Sequence, residues 1–142
     1  MSEIELPDWP AGTVTLLATG AGAPHVIPVS AALRAGPARV LLALAPRRAS
    51  LARLREEPRV ALAVLAAGNV ALTAEGLASV VAEPLPGAEN VVAVELLVDR
   101  LQKHGNRHFA VTDGVRWNWT DAESEERDAA VRGALAALAS RA

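Results

Sequence analysis

The chain has 142 residues, enough to bury about 70% of its unfolded surface without cross-links, and is expected to form a single domain over residues 1–142. Its 51% apolar content comes mostly from Ala, Val and Leu, with three Trp, one Phe and no Tyr, so the core is built from small aliphatic side chains. A net charge of −2 gives no electrostatic reason to expect nucleic acid or an anionic membrane, and the absence of cysteine excludes disulfides, thiolate chemistry and cysteine-bound zinc. The N-terminus has early acids and no apolar signal region, and no apolar run approaches the roughly 18 residues of a spanning helix, so a soluble, cytoplasmic protein is expected.

Residues 1–12 read as a lead-in, with Trp9 placed to fold over one end of a core. Residues 13–19 alternate, with Val14, Leu16 and Ala18 on one side and threonines on the other, which predicts a strand. After the turn chemistry of Gly20 to Pro24, residues 25–33 predict a second strand. Pro28 lies inside it; a residue that cannot donate to a ladder belongs at an edge or a bulge. Gly36 and Pro37 turn the chain into a third strand, residues 40–44. A basic loop follows, and then a short helix that Ser50 can cap and that Pro58 stops at Glu57.

Residues 60–65 predict the next strand, and Gly68-Asn69 marks a hairpin. Residues 70–83 form a long strand in which Gly76 signals a bend or bulge of the kind that closes a barrel. Residues 91–103 form another long strand, and residues 109–112 and 115–119 a last hairpin around Asp113-Gly114. Thr120-Asp-Ala-Glu123 reads as a capping box opening a helix whose Val131, Leu135 and Leu138 share one face.

Many strands with helices only at the basic loop and the C-terminus predict a mainly β protein, a small closed antiparallel barrel, with a sandwich as the alternative. Strand 91–103 is apolar on both faces: Val92, Val94 and Leu96 face one way, while Ala93 and Leu97 flank Glu95 on the other. A twin subunit would cover the second face, so a homodimer is expected.

The basic loop carries the main candidate site. Arg47 and Arg48, with Arg53 one turn on, stand beside the free N–H groups of a helix start, an arrangement suited to phosphate or another anion. The alternative is a solvated connection whose arginines only keep the surface soluble.

The run Gly22-Ala-Pro-His-Val-Ile-Pro-Val29, the apolar strand after it, Leu54-Arg-Glu-Glu-Pro-Arg-Val-Ala-Leu62 and Glu75-Gly-Leu-Ala78 together resemble the pyridoxamine 5′-phosphate oxidase-like, flavin-binding split barrels. The resemblance covers roughly residues 12–119. It implies a six-stranded split β-barrel with a short helix after the third strand and a C-terminal helix, an intimate dimer, and cofactor sites at its interface. FMN is the implied cofactor, the deazaflavin coenzyme F-420 the alternative; a few members bind haem or have lost their cofactor. It further implies that the backbone of Pro28, Val29 and Ser30 lies along the flavin ring. Arg47, Arg48, Ser50 and the helix start, with Arg53, would hold the phosphate, and Trp117 would approach from the partner subunit.

This chain departs from the pattern where the family oxidases place Ser-Arg-Lys and it reads Arg48-Ala49-Ser50. Ala32 and Leu44 stand where a phosphate-binding lysine and a threonine are usual, and the C-terminal arginine motif that grips pyridoxal phosphate is missing. A vitamin B6 oxidase is therefore not expected. The resemblance implies a flavin- or deazaflavin-dependent oxidoreductase acting on a small molecule. The rival is a cofactor- or haem-binding barrel without catalysis, or one that has lost its cofactor.

Nothing else in the chain points as clearly to chemistry. His104 and His108 have i, i+4 spacing, which binds zinc only on a helix, and Gly105 argues against one. His25 precedes the Pro28 strand and reads either as a cofactor-edge or as a surface residue. Glu75 and Glu95 are isolated in mid-strand. Trp117 and Trp119 alternate and so share a side, which core or dimer packing would explain.

Overall fold

The computed structural model describes residues 3–141. Seven strands and two helices follow in the order β1 (Thr15–Thr19), β2 (His25–Val29), β3 (Ala32–Gly36), β4 (Arg39–Leu44), α1 (Ala49–Glu56), β5 (Arg59–Ala66), β6 (Val70–Ala82), β7 (Val92–Lys103) and α2 (Ala122–Ala139). The strands make one antiparallel sheet in the order β2-β1-β5-β6-β7-β4-β3. Its terminal strands, β2 and β3, are consecutive in the chain and joined only through Ser30 and Ala31. Laid flat, they would stand about 29 Å apart at the usual strand spacing, whereas the chain from Val29 to Ala32 can reach only about 11 Å. The sheet is therefore forced to curl.

The expected second strand, 25–33, is thus two strands, which makes seven where six were expected. Residues 25–29 pair with β1 and residues 32–36 with β4, on opposite margins of the curled sheet. The chain changes partner at Ser30 and Ala31. Pro28 sits on a terminal strand, as its missing N–H requires.

Curling needs a break in the long β6–β7 ladder, and Gly76 supplies it. The register slips between Glu75 and Gly76, leaving Asp99 as the extra residue of a bulge on β7. A Cβ at Gly76 would lie 1.9 Å from the Leu97 carbonyl oxygen, so only glycine permits the approach.

The main core lies inside the curl, with Val40, Leu42, Leu62, Val64, Val94 and Leu96 from the sheet and Leu51 and Leu54 from α1. Trp9 packs over it and donates its Nε1–H to the Ala32 carbonyl at 3.1 Å. In β1 the threonines face inward and Leu16 faces out, 47% exposed. The inward hydroxyls are satisfied: Thr15 Oγ1 donates to the Val29 carbonyl and Thr13 Oγ1 to the Pro10 carbonyl, each at 2.7 Å.

A second cluster lies outside the sheet, where Val131 and Leu135 of α2 meet Leu41, Leu85, Ala88 and Ala93, with Leu138 packed beside them. The stripe expected on this helix is the face it buries. Ala93 is therefore covered by the chain's own helix and not left for a twin subunit, while Leu97 stays 52% exposed.

Both helix starts differ from expectation. The N-cap of α2 is Asp121, one residue after Thr120: its carboxylate accepts from the Ser124 amide at 2.7 Å. That bond holds the Asp121 carboxyl below the usual carboxylate range. In α1 the N-cap is Arg48, which makes no side-chain cap, and Ser50 lies inside the first turn. The expected last hairpin does not form. Residues 109–119 spend their backbone groups on other partners: Val115 O accepts from the Val14 amide at 2.8 Å, and Val111 exchanges bonds with Asn69. Gly114 lies directly against the Leu65 carbonyl. No helix among the described residues is long and apolar enough to cross a membrane.

Two glycine substitutions separate the closure of the sheet from helix propensity. Gly76→Ala should lower unfolding stability by about 3 kcal/mol or more, because backbone has to move. Gly133→Ala, on the open face of α2, should raise it by about 0.5–1 kcal/mol. Urea titrations would read both. The pH dependence follows from the lowered Asp121. Its stabilising effect is complete above the unfolded carboxyl value and fades as pH falls through the lower folded one. Asp121→Asn should therefore melt below the parent at neutral pH and approach it in acid.

Candidate active site

The curl brings the β2–β3 junction, the end of β4 and the first turns of α2 together around a cleft of about 260 Å³. Pro28, Val29 and Ser30 form one side and Ala43 to Ala45 another. Arg48 stands at the start of α1, with Trp117 and Trp119 from the extended C-terminal segment. The two indoles meet edge to face, their centroids 6.2 Å apart at 69°, and each remains about two-fifths exposed. An adjoining lobe of about 330 Å³ shares Ser30, Trp117, Trp119 and Asp128 and adds Gly12, Arg116, Glu125 and Arg132. The two lobes together fall in the size range of small-molecule sites.

Five of the eight residues expected at a site line this cleft: Pro28, Val29, Ser30, Arg48 and Trp117. Trp117 reaches it within its own chain, where the resemblance implied a partner's. Both tryptophans share a side, as their alternation requires, but they line a cleft and do not pack into the core.

The other three lie elsewhere. Arg47 is exposed in the turn before α1 and is not part of the lining. Arg53 is turned onto the β1–β2 connection, its Nε–H donating to Thr19 Oγ1 at 2.9 Å and its Nη2 to the Ala23 carbonyl. Ser50 is fully buried in the first turn of α1, and its hydroxyl has no hydrogen-bond partner among the described residues. That turn carries no acidic residue and no side-chain cap. A buried hydroxyl without a partner costs about 1–3 kcal/mol, and Ser50 lines neither lobe of the cleft.

Sequence reasoning missed the α2 wall: Ser124, Arg127, Asp128 and Val131 all face the cleft. The apolar stripe of α2 was legible, but not the part of the sheet it would dock on. Asp128 is held by Arg132, whose Nε–H lies 2.9 Å from its carboxylate, and its side chain is only 13% exposed. Arg127 pairs with Glu123 at 3.2 Å.

Several other titratable groups lie outside both lobes. Arg59 forks onto Asp99 at 2.8 and 2.9 Å, holding that carboxyl below its usual range. Glu95 accepts from Arg39 at 2.6 Å, and Glu75 has Arg100 at 3.6 Å. His104 Nε2 lies 2.8 Å from Thr73 Oγ1, and His108 is near Arg107. Among the described residues no group of three or more His, Cys, Asp or Glu is placed to hold a metal.

Three solved structures have similar folds. A protein provisionally named pyridoxamine 5′-phosphate oxidase, from Listeria innocua, superposes with a TM-score of 0.55 at 13% identity, over 66% of this chain and 90% of its own. An F420 reductase gives 0.57 at 15% identity, over 66% and 91%. A FAD-binding protein from Mesorhizobium loti gives 0.52 at 17% identity, over 64% and 82%. No family model matches the chain. No curated protein matches it either. At these identities the likeness establishes architecture: the chain shares the split-barrel fold of proteins named for pyridoxamine phosphate oxidation, F420 reduction and FAD binding.

Proposed function

We propose that this protein is a flavin- or deazaflavin-dependent oxidoreductase acting on a small molecule, with FMN as its cofactor and coenzyme F-420 as the alternative. The observation that carries the reading is the meeting of Pro28, Val29 and Ser30 with Arg48 and Trp117 in one cleft. The names of the neighbouring folds point the same way. The residues present fit such a group. β2 is a terminal strand, so one edge of its backbone is free of the sheet to meet a flavin ring. Arg48 offers a fork of donors to a phosphate, with the uncapped start of α1 and the orphan Ser50 hydroxyl close in sequence. Trp117 and Trp119 present aromatic surface to a planar ring.

The cofactor supplies hydride transfer when bound. The chain's own residues bind and orient: the strand edge fixes the ring plane, Arg48 anchors the charged tail, and the indoles narrow the cleft against water. Such chemistry needs no catalytic dyad in the protein, and the paired states of Asp128 and Arg127 agree with a wall rather than a proton relay.

Cofactor binding is read from the visible spectrum of the purified protein and by titration. Flavin or deazaflavin bands support the reading; a Soret band would indicate haem, and colourless protein that takes up neither cofactor would overturn it. Arg48→Ala should weaken binding about ten- to a hundred-fold, the loss of charge-assisted bonds to phosphate. Arg59→Ala, whose guanidinium is engaged with Asp99, should bind as the parent does.

The same fold is proposed to pair with a second copy. Leu16, Leu65, Leu77 and Leu97 lie on the outer side of the sheet, each about half exposed, and Leu77 opposes Leu97 directly across β6 and β7. Exposed leucines in this number are the mark of an interface. Light scattering should give twice the 14.7 kDa chain mass, and Leu77→Glu with Leu97→Glu should return the single mass. A parent that runs as a monomer at micromolar concentration would sink the proposal.

A further inference from the structure

The second lobe of the cleft holds charge that the chain leaves unused. Of the two guanidinium groups lining it, Arg132 is committed to Asp128 at 2.9 Å. Arg116 has no carboxylate and no hydrogen-bond acceptor for its side chain among the described residues. Its placement is nonetheless specific. The backbone of Arg116 bridges to Thr13, and its guanidinium lies over Gly12, where a Cβ would stand 3.0 Å from Nη2. Gly12 also has φ +87°, a conformation that favours glycine, so the bare backbone beneath the guanidinium is built into the fold. Glu125, the one other charged group of the lobe, is likewise unpaired among the described residues. Between this lobe and the first stand the exposed indoles of Trp117 and Trp119.

We infer that this lobe is the substrate subsite and that it takes a small, planar, conjugated carboxylic acid bearing a hydrogen-bond donor. The carboxylate lies on the Arg116 fork, the geometry for which guanidinium is suited. The π system lies against the indoles, and Glu125 accepts from the donor, a hydroxyl or an amine. Asp128 does not repel the acid, because Arg132 neutralises it at close range. The two lobes thereby divide the labour: Arg48 serves the cofactor's anion and Arg116 the substrate's. Arg116 is a specificity-determining residue, and neither Arg127 nor Arg132 can replace it while engaged with Glu123 and Asp128. The assignment of the lobe to substrate rests on the oxidoreductase reading above.

The test is isothermal titration calorimetry of the purified full-length protein with para-hydroxycinnamate, its methyl ester and unsubstituted cinnamate, before and after saturation with FMN. The acid should bind, the ester should bind about tenfold more weakly or worse, and cinnamate should fall between them. Arg116→Gln should lose affinity for the acid by about tenfold and keep the parent's affinity for FMN, whereas Arg48→Ala should lose affinity for FMN. If Arg116→Gln proves unfolded by its melting curve, the comparison of acid with ester on the parent decides alone. An ester that binds as tightly as the acid, an Arg116→Gln protein that binds the acid like the parent, or no binding at millimolar acid overturns the subsite. Acid binding without FMN uptake would fault the cofactor assignment and leave the Arg116 site standing. FMN uptake without acid binding would do the reverse.

Discussion

The fold turns on how closely β6 and β7 approach at one point. Gly76 brings bare backbone against the Leu97 carbonyl, the register slips by one residue at Asp99, and the long ladder bends there. This bend, with a second slip of the same ladder at Val81, lets the sheet curl until β2 and β3 lie within the reach of a two-residue connection. The expelled Asp99 is not lost: it emerges on the outer side, where Arg59 of β5 forks onto it. A steric requirement on the inside and an ion pair on the outside thus mark the same bulge. The steric one dominates, because exposed ion pairs contribute little.

Curling has a direct consequence for the cleft. When the chain passes from β2 to β3 it leaves one ladder before joining the other, and Ser30 and Ala31 fall in the gap. The Ala31 carbonyl is taken up at once by the Ala43 amide at 3.0 Å, while Ser30 lines the cleft between the two ladders. The cleft then needs a second wall, and α2 provides it. Leu135 and Val131 anchor the helix against Leu41, Leu85 and Ala93, which leaves its first turns, with Ser124 and Asp128, standing over Ser30 and Trp119. The helix therefore has two roles set by position along its length: packing in the second half and lining in the first.

The pairing of side chains explains which arginines are available. Arg39, Arg55, Arg59, Arg127 and Arg132 each have a carboxylate within 3.2 Å, and Arg53 is spent on the β1–β2 connection. Among the described residues Arg48 and Arg116 are left in the cleft with no carboxylate or hydrogen-bond acceptor for their side chains. One unpaired guanidinium thus stands in each lobe, with the two exposed indoles between them.

Much of the architecture was legible along the chain, because it rests on local rules. Alternation marked the strands, Gly68-Asn69 the β5–β6 turn and Pro58 the end of α1; Gly76 marked the bulge and Val131, Leu135 and Leu138 the buried stripe of α2. Local rules also placed Arg48 among the candidates, and the resemblance to the split barrels added Pro28, Val29, Ser30 and Trp117. What they could not do was decide partners. Whether residues 25–33 made one strand or two depended on which ladders they joined. Residues 109–112 and 115–119 had the look of a hairpin, yet Thr13, Val14 and Asn69 take up their backbone groups. Arg53 matched a phosphate site by spacing but was taken by Thr19 and Ala23, while Asp128 and Arg116 gave no sequence signal and joined the cleft through α2 docking and the approach to Gly12. Periodicity and turn chemistry are set by a residue's immediate neighbours and so can be read in one dimension. The partner of a backbone amide or a guanidinium is chosen by distance in the folded chain, and only the tertiary structure supplies that distance.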